Sequence, residues 1–184
     1  MTESSRRILL FDLYHGGHHF QYLGYLLDYW IANRPRGRLE IVISEAAARA
    51  EEAFMTRARE AAELGVAVHP VATRFDMRNP GPLGLVRSDR EHGRHLREAV
   101  RALDPHHCLL MYLDQAQLSL STDLRLGTQT SISGIYFRPT FHYEQFSPGH
   151  SGARQRLVDL RKKAMLAAAM RNPHFRFLFA LDPF

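Results

Sequence analysis

Cysteine is nearly absent: Cys108 is the only one in 184 residues, so neither an internal disulfide nor a thiolate quartet for a structural metal can form. A reducing, cytoplasmic setting is the expectation that follows. No apolar run approaches the roughly 20 residues needed to cross a bilayer, and the first residues lack the basic, apolar and small-residue order of a signal peptide, which points to a soluble protein. Also missing are an internal repeat, a low-complexity tract and a linker rich in Pro, Gly or Ser. With 45% apolar content over 184 residues, one sizeable core and a single domain spanning 1–184 are expected. No nucleic-acid-binding signature occurs and the basic residues are concentrated mainly on one predicted helix, so nucleic acid is not an expected partner.

Charge is present but uneven. The formal excess of +5 is matched by one stretch, residues 151–171, which holds Arg154, Arg156, Arg161, Lys162, Lys163 and Arg171 against Asp159 alone. Leu157, Leu160, Ala164 and Ala168 stand in helical register there. Such a helix either lays an apolar stripe on the core with its charges solvated, or lies on an anionic membrane surface, reached from the cytoplasmic side, or on a phosphate-rich ligand.

Along the chain, short apolar runs alternate with helical periodicity. "RILLFDL", "LEIVIS", "VAVHPVA", "HHCLLMYLD", "SISGIYFRP" and "HFRFLFALD" read as six strands, and the segments between them as helices. An alanine-rich helix over "EAAARAEEAFMTRAREAAEL" ends at Gly65, and "SDREHGRHLREAVRAL" opens at Ser88 with Glu91 three residues on, as in a capping box. Strands that are almost continuously apolar, each followed by a helix, predict an α/β fold: a doubly wound, mostly parallel, Rossmann-like sheet covered on both faces.

In such a sheet, ligands bind beyond the carboxyl ends of the strands, where the first strand-to-helix turn presents free backbone amides. "FDLYHGGHHF" occupies that turn. Gly16 and Gly17 permit positive φ and close approach of a phosphate or sugar, or serve only a tight turn needed for packing. The pair lacks the G-x-G-x-x-G spacing of dinucleotide sites, so no nicotinamide cofactor is expected, nor any other. His18 and His19 would diverge by about 100° at a helix start, which opposes joint metal ligation, and no metal is expected. They read as polar or catalytic groups at the rim, or as capping and packing residues. Asp114, after "LLMYL", is placed for a general base or acceptor-orienting carboxylate, or caps the helix over "QAQLSL". Arg138 and His142 in "FRPTFHY" follow the fifth strand; Arg138 suits a phosphate or is simply solvated. Tyr22, Tyr25 and Tyr29 read as the edge of the core, and Arg74, Arg78 and Arg87 flank a proline loop where they attract a phosphorylated or lipid-linked acceptor or merely keep the loop soluble.

Taken together, "HGGHHFQYL", "SGIYFRPTFHY" and the ending "RKKAMLAAAMRNPHFRFLFALDPF" resemble the amino-terminal domain of GT-B glycosyltransferases of the group 1, nucleotide-sugar-dependent type. The resemblance implies an acceptor-side domain whose partner is a carboxyl-terminal donor-binding domain, with a small-molecule or lipid-linked acceptor between them. It puts Gly16 and Gly17 beside the donor diphosphate and acceptor, with His18 or His19 at the adjoining helix start. Because the sequence stops at "ALDPF", about where that family passes into its second domain, the chain reads as half an enzyme, inactive alone. A non-catalytic binding or assembly module of the same fold, and a small stand-alone enzyme using Asp114 and a rim histidine, are the alternatives.

Overall fold

The computed structural model describes residues 6–14, 19–74, 82–122, 129–136 and 153–180. Within them six strands form one parallel sheet in the order β3-β2-β1-β4-β5-β6. They are β1 (Arg7–Asp12), β2 (Arg38–Ser44), β3 (Val66–Val71), β4 (His107–Leu110), β5 (Ser131–Tyr136) and β6 (Phe175–Ala180). The helices are α1 (His19–Asn33), α2 (Glu45–Ala50), α3 (Glu52–Glu60), α4 (Pro82–Leu103), α5 (Gln117–Thr122) and α6 (Ala153–Met170), with short 3-10 turns at Ala62–Leu64 and Leu113–Gln115. This is the strand order of the doubly wound Rossmann class, whose direction of winding reverses between β1 and β4.

Each face of the sheet carries its own core. On one, Leu9, Phe11, Cys108, Leu110, Ile132 and Tyr136 pack under Leu96 and Val100 of α4, Leu120 of α5, and Leu166 and Ala169 of α6. On the other, Leu10, Ile41, Ile43 and Ile135 pack under Phe20, Leu23, Leu27 and Trp30 of α1 and Phe54, Met55 and Ala58 of α3. Alternate residues of β1 thus serve opposite cores, which is the period of a strand buried on both sides. Two carboxylates are buried in the sheet, Asp12 of β1 and Glu40 of β2; Glu40, 3% exposed, is held by His69 Nε2 at 2.7 Å and by Arg7 and Arg38 Nε, each at 3.6 Å. Pro70 is tolerated because β3 is an edge strand, where a missing ladder N–H costs little.

Four local expectations are corrected. The alanine-rich stretch is two helices, broken at Glu51 (φ −112°, ψ 58°), which lets Phe54, Met55 and Ala58 reach the core; burial overrides uniform helix propensity. Its end is as read: Gly65 sits in the left-handed region at φ +81°. Ser88 is no cap, because α4 begins six residues earlier at Pro82, a residue whose missing N–H is harmless in a first turn. Ser88 is instead fully buried. Of the three tyrosines on α1, Tyr22 packs against the core, but Tyr25 and Tyr29 are 58% and 63% exposed, since Leu23, Leu27 and Trp30 take the buried face. Among the described side chains of α6 the buried ones are Leu166 and Ala169, while Leu160 is 64% exposed and Ala164 is exposed; the Leu157 side chain lies outside the described set. The expected stripe was therefore displaced around the helix. No helix among the described residues is long and apolar enough to cross a membrane.

Gly134 lets the turn after β4 close on the sheet: a Cβ there would stand 2.9 Å from Leu113 Cβ and 3.0 Å from its Cδ1. Gly134→Ala should cost about 1–3 kcal/mol through overpacking, a fall of about 2–4 °C in Tm per kcal/mol for a domain of this size. A thermal melt checks it, and an unchanged Tm refutes the contact.

Candidate functional site

The reversal of winding between β1 and β4 leaves the chain after each strand free to diverge at the carboxyl edge, and this is where open α/β sheets bind ligands. Pairing persists one step beyond β4, where the Met111 N–H donates to the Phe11 carbonyl at 3.0 Å. Beyond that, Asp12, Leu13 and Tyr14 lead away on one side and Tyr112, Leu113 and Asp114 on the other. The Asp12 carboxylate accepts the Tyr14 N–H at 2.9 Å, a turn that fixes the direction of the Tyr14 side chain. The Tyr14 ring then meets Tyr112 edge-on with centroids 5.5 Å apart, and its hydroxyl lies 3.4 Å from Ser88 Oγ.

Asp114 stands in the 3-10 turn after β4, partly exposed. The apolar run predicts a strand that closes on this residue; β4 ends at Leu110, four residues earlier. The turn brings Asp114 to Tyr136 at the end of β5. Burial pushes the Tyr136 phenol up to about 12, the negative charge of Asp114 adds to the rise, and Gln117 opposes it. Burial likewise raises Tyr14 to about 12, against a smaller lowering by Ser88. Both phenols stay protonated at neutral pH, so each has a proton to donate and neither is a base. The carboxylate of Asp114 is the complementary acceptor. At the start of α5, Asp89 of α4 accepts the N–H of Leu118 at 3.0 Å and of Ser119 at 2.8 Å.

Around this rim α4 buries an unusual row of polar side chains, Ser88, Asp89, Glu91, His92 and His95. His92 lies edge-on to Phe11 at 5.0 Å and beside Tyr14 at 6.0 Å, and its Nδ1 has no hydrogen-bond partner among the described residues. Burial, with a smaller push from His95, lowers its pKa to about 3. Asp89 is raised, chiefly by burial and against the pull of its hydrogen bonds from Ser119 and Leu118. Burial raises the thiol of Cys108, leaving it inert. No group of three or more His, Cys, Asp or Glu side chains among the described residues could hold a metal ion.

Of the residues singled out from sequence, Asp114 is at the crevice, and His19 opens α1 from the far side of the β1 turn. Gly16, Gly17, His18, Arg138 and His142 lie outside the described residues. Tyr14, Tyr112, Gln117 and Tyr136 were not foreseen. Tyr14 carried a usable signal, since it stands between the first apolar strand and the glycine turn; Tyr136, inside an apolar run, carried none.

No protein-family model and no curated protein matches the chain. Among solved structures it is similar to the glycotransferase of kitacinnamycin, at 14% identity and a TM-score of 0.48 over 91% of this chain and 40% of that one. It is similar also to the U34-tRNA thiolase NcsA from Methanococcus maripaludis, solved with its 4Fe-4S cluster, at 13% identity and a TM-score of 0.47 over 95% of this chain and 50% of that one. The chain spans half or less of the length of either protein. Its Rossmann-like class rests on its own strand order and parallel pairing.

Proposed function

We propose that the chain is the acceptor-side domain of a nucleotide-sugar-dependent glycosyltransferase, working with a carboxyl-terminal domain that supplies the donor contacts. The observation that carries this reading is the partly exposed carboxylate of Asp114 at the switch-point crevice, beside the Tyr136 phenol, which remains protonated. A hydroxylated acceptor suits such a lining: aromatic edges cover its carbon face, Asp114 accepts from a hydroxyl, and a phenol donates to a neighbouring oxygen. In transfer, the acceptor oxygen bonds to the anomeric carbon as the bond to the leaving diphosphate breaks, and Asp114 takes the proton. The crevice forms one wall of the cleft; orientation of donor against acceptor, a large part of such a rate, needs the other. A lipid-linked acceptor is compatible with α6, which exposes Leu160, Arg161, Lys163, Met170 and Arg171, a mixture suited to peripheral contact with an acidic membrane surface.

The full chain should be titrated with a panel of simple glycosides and of nucleotide sugars, followed by NMR of the tyrosine rings and by calorimetry. Glycoside binding should shift Tyr14, Tyr112 and Tyr136 and weaken in Asp114→Asn. Nucleotide sugars should bind with Kd above about 1 mM, equivalent to less than about 4 kcal/mol, and no transfer should be detected. Efficient transfer by the chain alone would favour a stand-alone enzyme, and ring shifts absent from the crevice would reject the reading.

A further inference from the structure

Away from the crevice, an open surface cavity of about 250 Å³ is lined by four arginines and one glutamate: Arg74, which follows β3, and Arg87, Arg90, Glu91 and Arg94 on α4. Spacings of three and four residues bring these α4 side chains to one face of the helix, where like charges repel one another. Arg94 is neutralised locally, by Glu98 at 3.1 Å and Glu91 at 3.5 Å. Among the described residues, Arg87 and Arg90 have no carboxylate partner and Glu91 is the only acid that lines the cavity. That carboxylate, 4% exposed, is used to hold the cavity together: its Oε1 accepts the Arg74 backbone N–H at 2.8 Å and lies 3.7 Å from His95 Nε2. Its Oε2 is buried and has no hydrogen-bond partner among the described residues. A buried acceptor left over beside two arginines that lack a carboxylate partner among the described residues is a costly arrangement for a surface that binds nothing.

The chemistry that resolves both features at once is a phosphate with a hydroxyl attached to the same small molecule. All but two of the chain's 24 basic residues are arginine, the side chain whose planar fork matches phosphate oxygens in pairs. The cavity volume lies below the roughly 300–1,000 Å³ of sites for drug-sized ligands, which favours a compact phosphomonoester over a nucleotide. We propose that this cavity binds a phosphomonoester, its phosphate on Arg74, Arg87 and Arg90 and a hydroxyl donating to Glu91 Oε2. The site shares no lining residue with Tyr14, Tyr112 and Asp114, and it does not rest on the glycosyltransferase reading.

The full chain is titrated by calorimetry with inorganic phosphate and with glycerol 3-phosphate, and mixed in parallel with phosphatidylcholine vesicles with and without phosphatidic acid. Saturable one-to-one binding is expected, tighter for glycerol 3-phosphate than for phosphate and weaker at higher salt. Arg87→Ser with Arg90→Ser, both at exposed positions, should not lower the melting temperature in the absence of ligand, since it relieves repulsion, and should weaken binding about tenfold or more. Glu91→Gln should reduce the advantage of glycerol 3-phosphate over phosphate. Binding to soluble esters alone assigns a free metabolite, and binding to phosphatidic acid vesicles that the double variant loses assigns a lipid headgroup. Binding to neither, or binding that the double variant leaves unchanged, overturns the site.

Discussion

Acidification from pH 7 to pH 5 should lower the melting temperature steeply, and His92→Leu should remove a large part of that slope. His92 is held neutral by burial, with a folded-state pKa of about 3 against an ordinary 6.5. Below pH 6.5 the unfolded chain takes up a proton that the folded chain refuses, so stability contributed by neutral His92 is complete above that pH and drains away as pH falls toward 3. One such group costs about 2 kcal/mol at pH 5, from about 1.4 kcal/mol per pH unit below the unfolded value. His95, lowered by burial and by Arg94 against Glu98 and Glu91, and His107, lowered by burial, act in the same direction. Asp89, raised by burial, acts in the opposite direction just above its ordinary 3.8, but it is one proton against three. At about 2–4 °C per kcal/mol, His92 alone should account for roughly 4–8 °C between pH 7 and pH 5. Melts across that range check it; equal slopes for wild type and His92→Leu would show that His92 is protonated in the folded protein.

Asp89→Ala should be the most damaging single truncation on α4, whereas Asp89→Asn should retain much of the stability. The Asp89 carboxylate accepts two α5 backbone N–H groups, and Ser119 Oγ donates both to it and to the Asp89 carbonyl. Close packing surrounds this joint, since a Cβ on Gly93 would sit 2.4 Å from Ser119 Oγ. Truncation strands buried donors at about 1–3 kcal/mol each, so a total of about 3 kcal/mol or more is expected. Asparagine still offers one acceptor oxygen, and because burial already disfavours the charge, losing the charge costs less than losing the oxygen. Urea unfolding of the two variants separates the cases. If Asn proved as damaging as Ala, the negative charge itself would be what α5 requires.

The element pattern was legible because it is local. Leu9, Leu10 and Phe11 fall in one unbroken apolar run, and a run of that kind followed by helical periodicity has few homes other than a parallel strand with a crossover helix. Helix starts were less legible. Ser88 followed by Glu91 fits a capping box, yet the first turn of α4 is set by Pro82, and Ser88 is drawn inward by contact with Tyr14, a residue 74 positions away. The displaced stripe on α6 has the same origin: Leu160 and Leu166 are equally apolar, and only the position of the sheet beneath decides which is buried.

By itself, then, the sequence determined the α/β class, the parallel sheet and the rim at which Asp114 lies, since each follows from the spacing of apolar residues within one segment. Tertiary structure alone decided which polar groups share a desolvated space. Asp114 comes beside Tyr136, Asp89 caps a helix about 30 residues further on, Arg74 joins a cavity on α4, and His92 is stripped of water between Phe11 and Tyr14. Those pairings depend on contacts between elements far apart in the chain, and the proton affinities depend on burial, which no local spacing records.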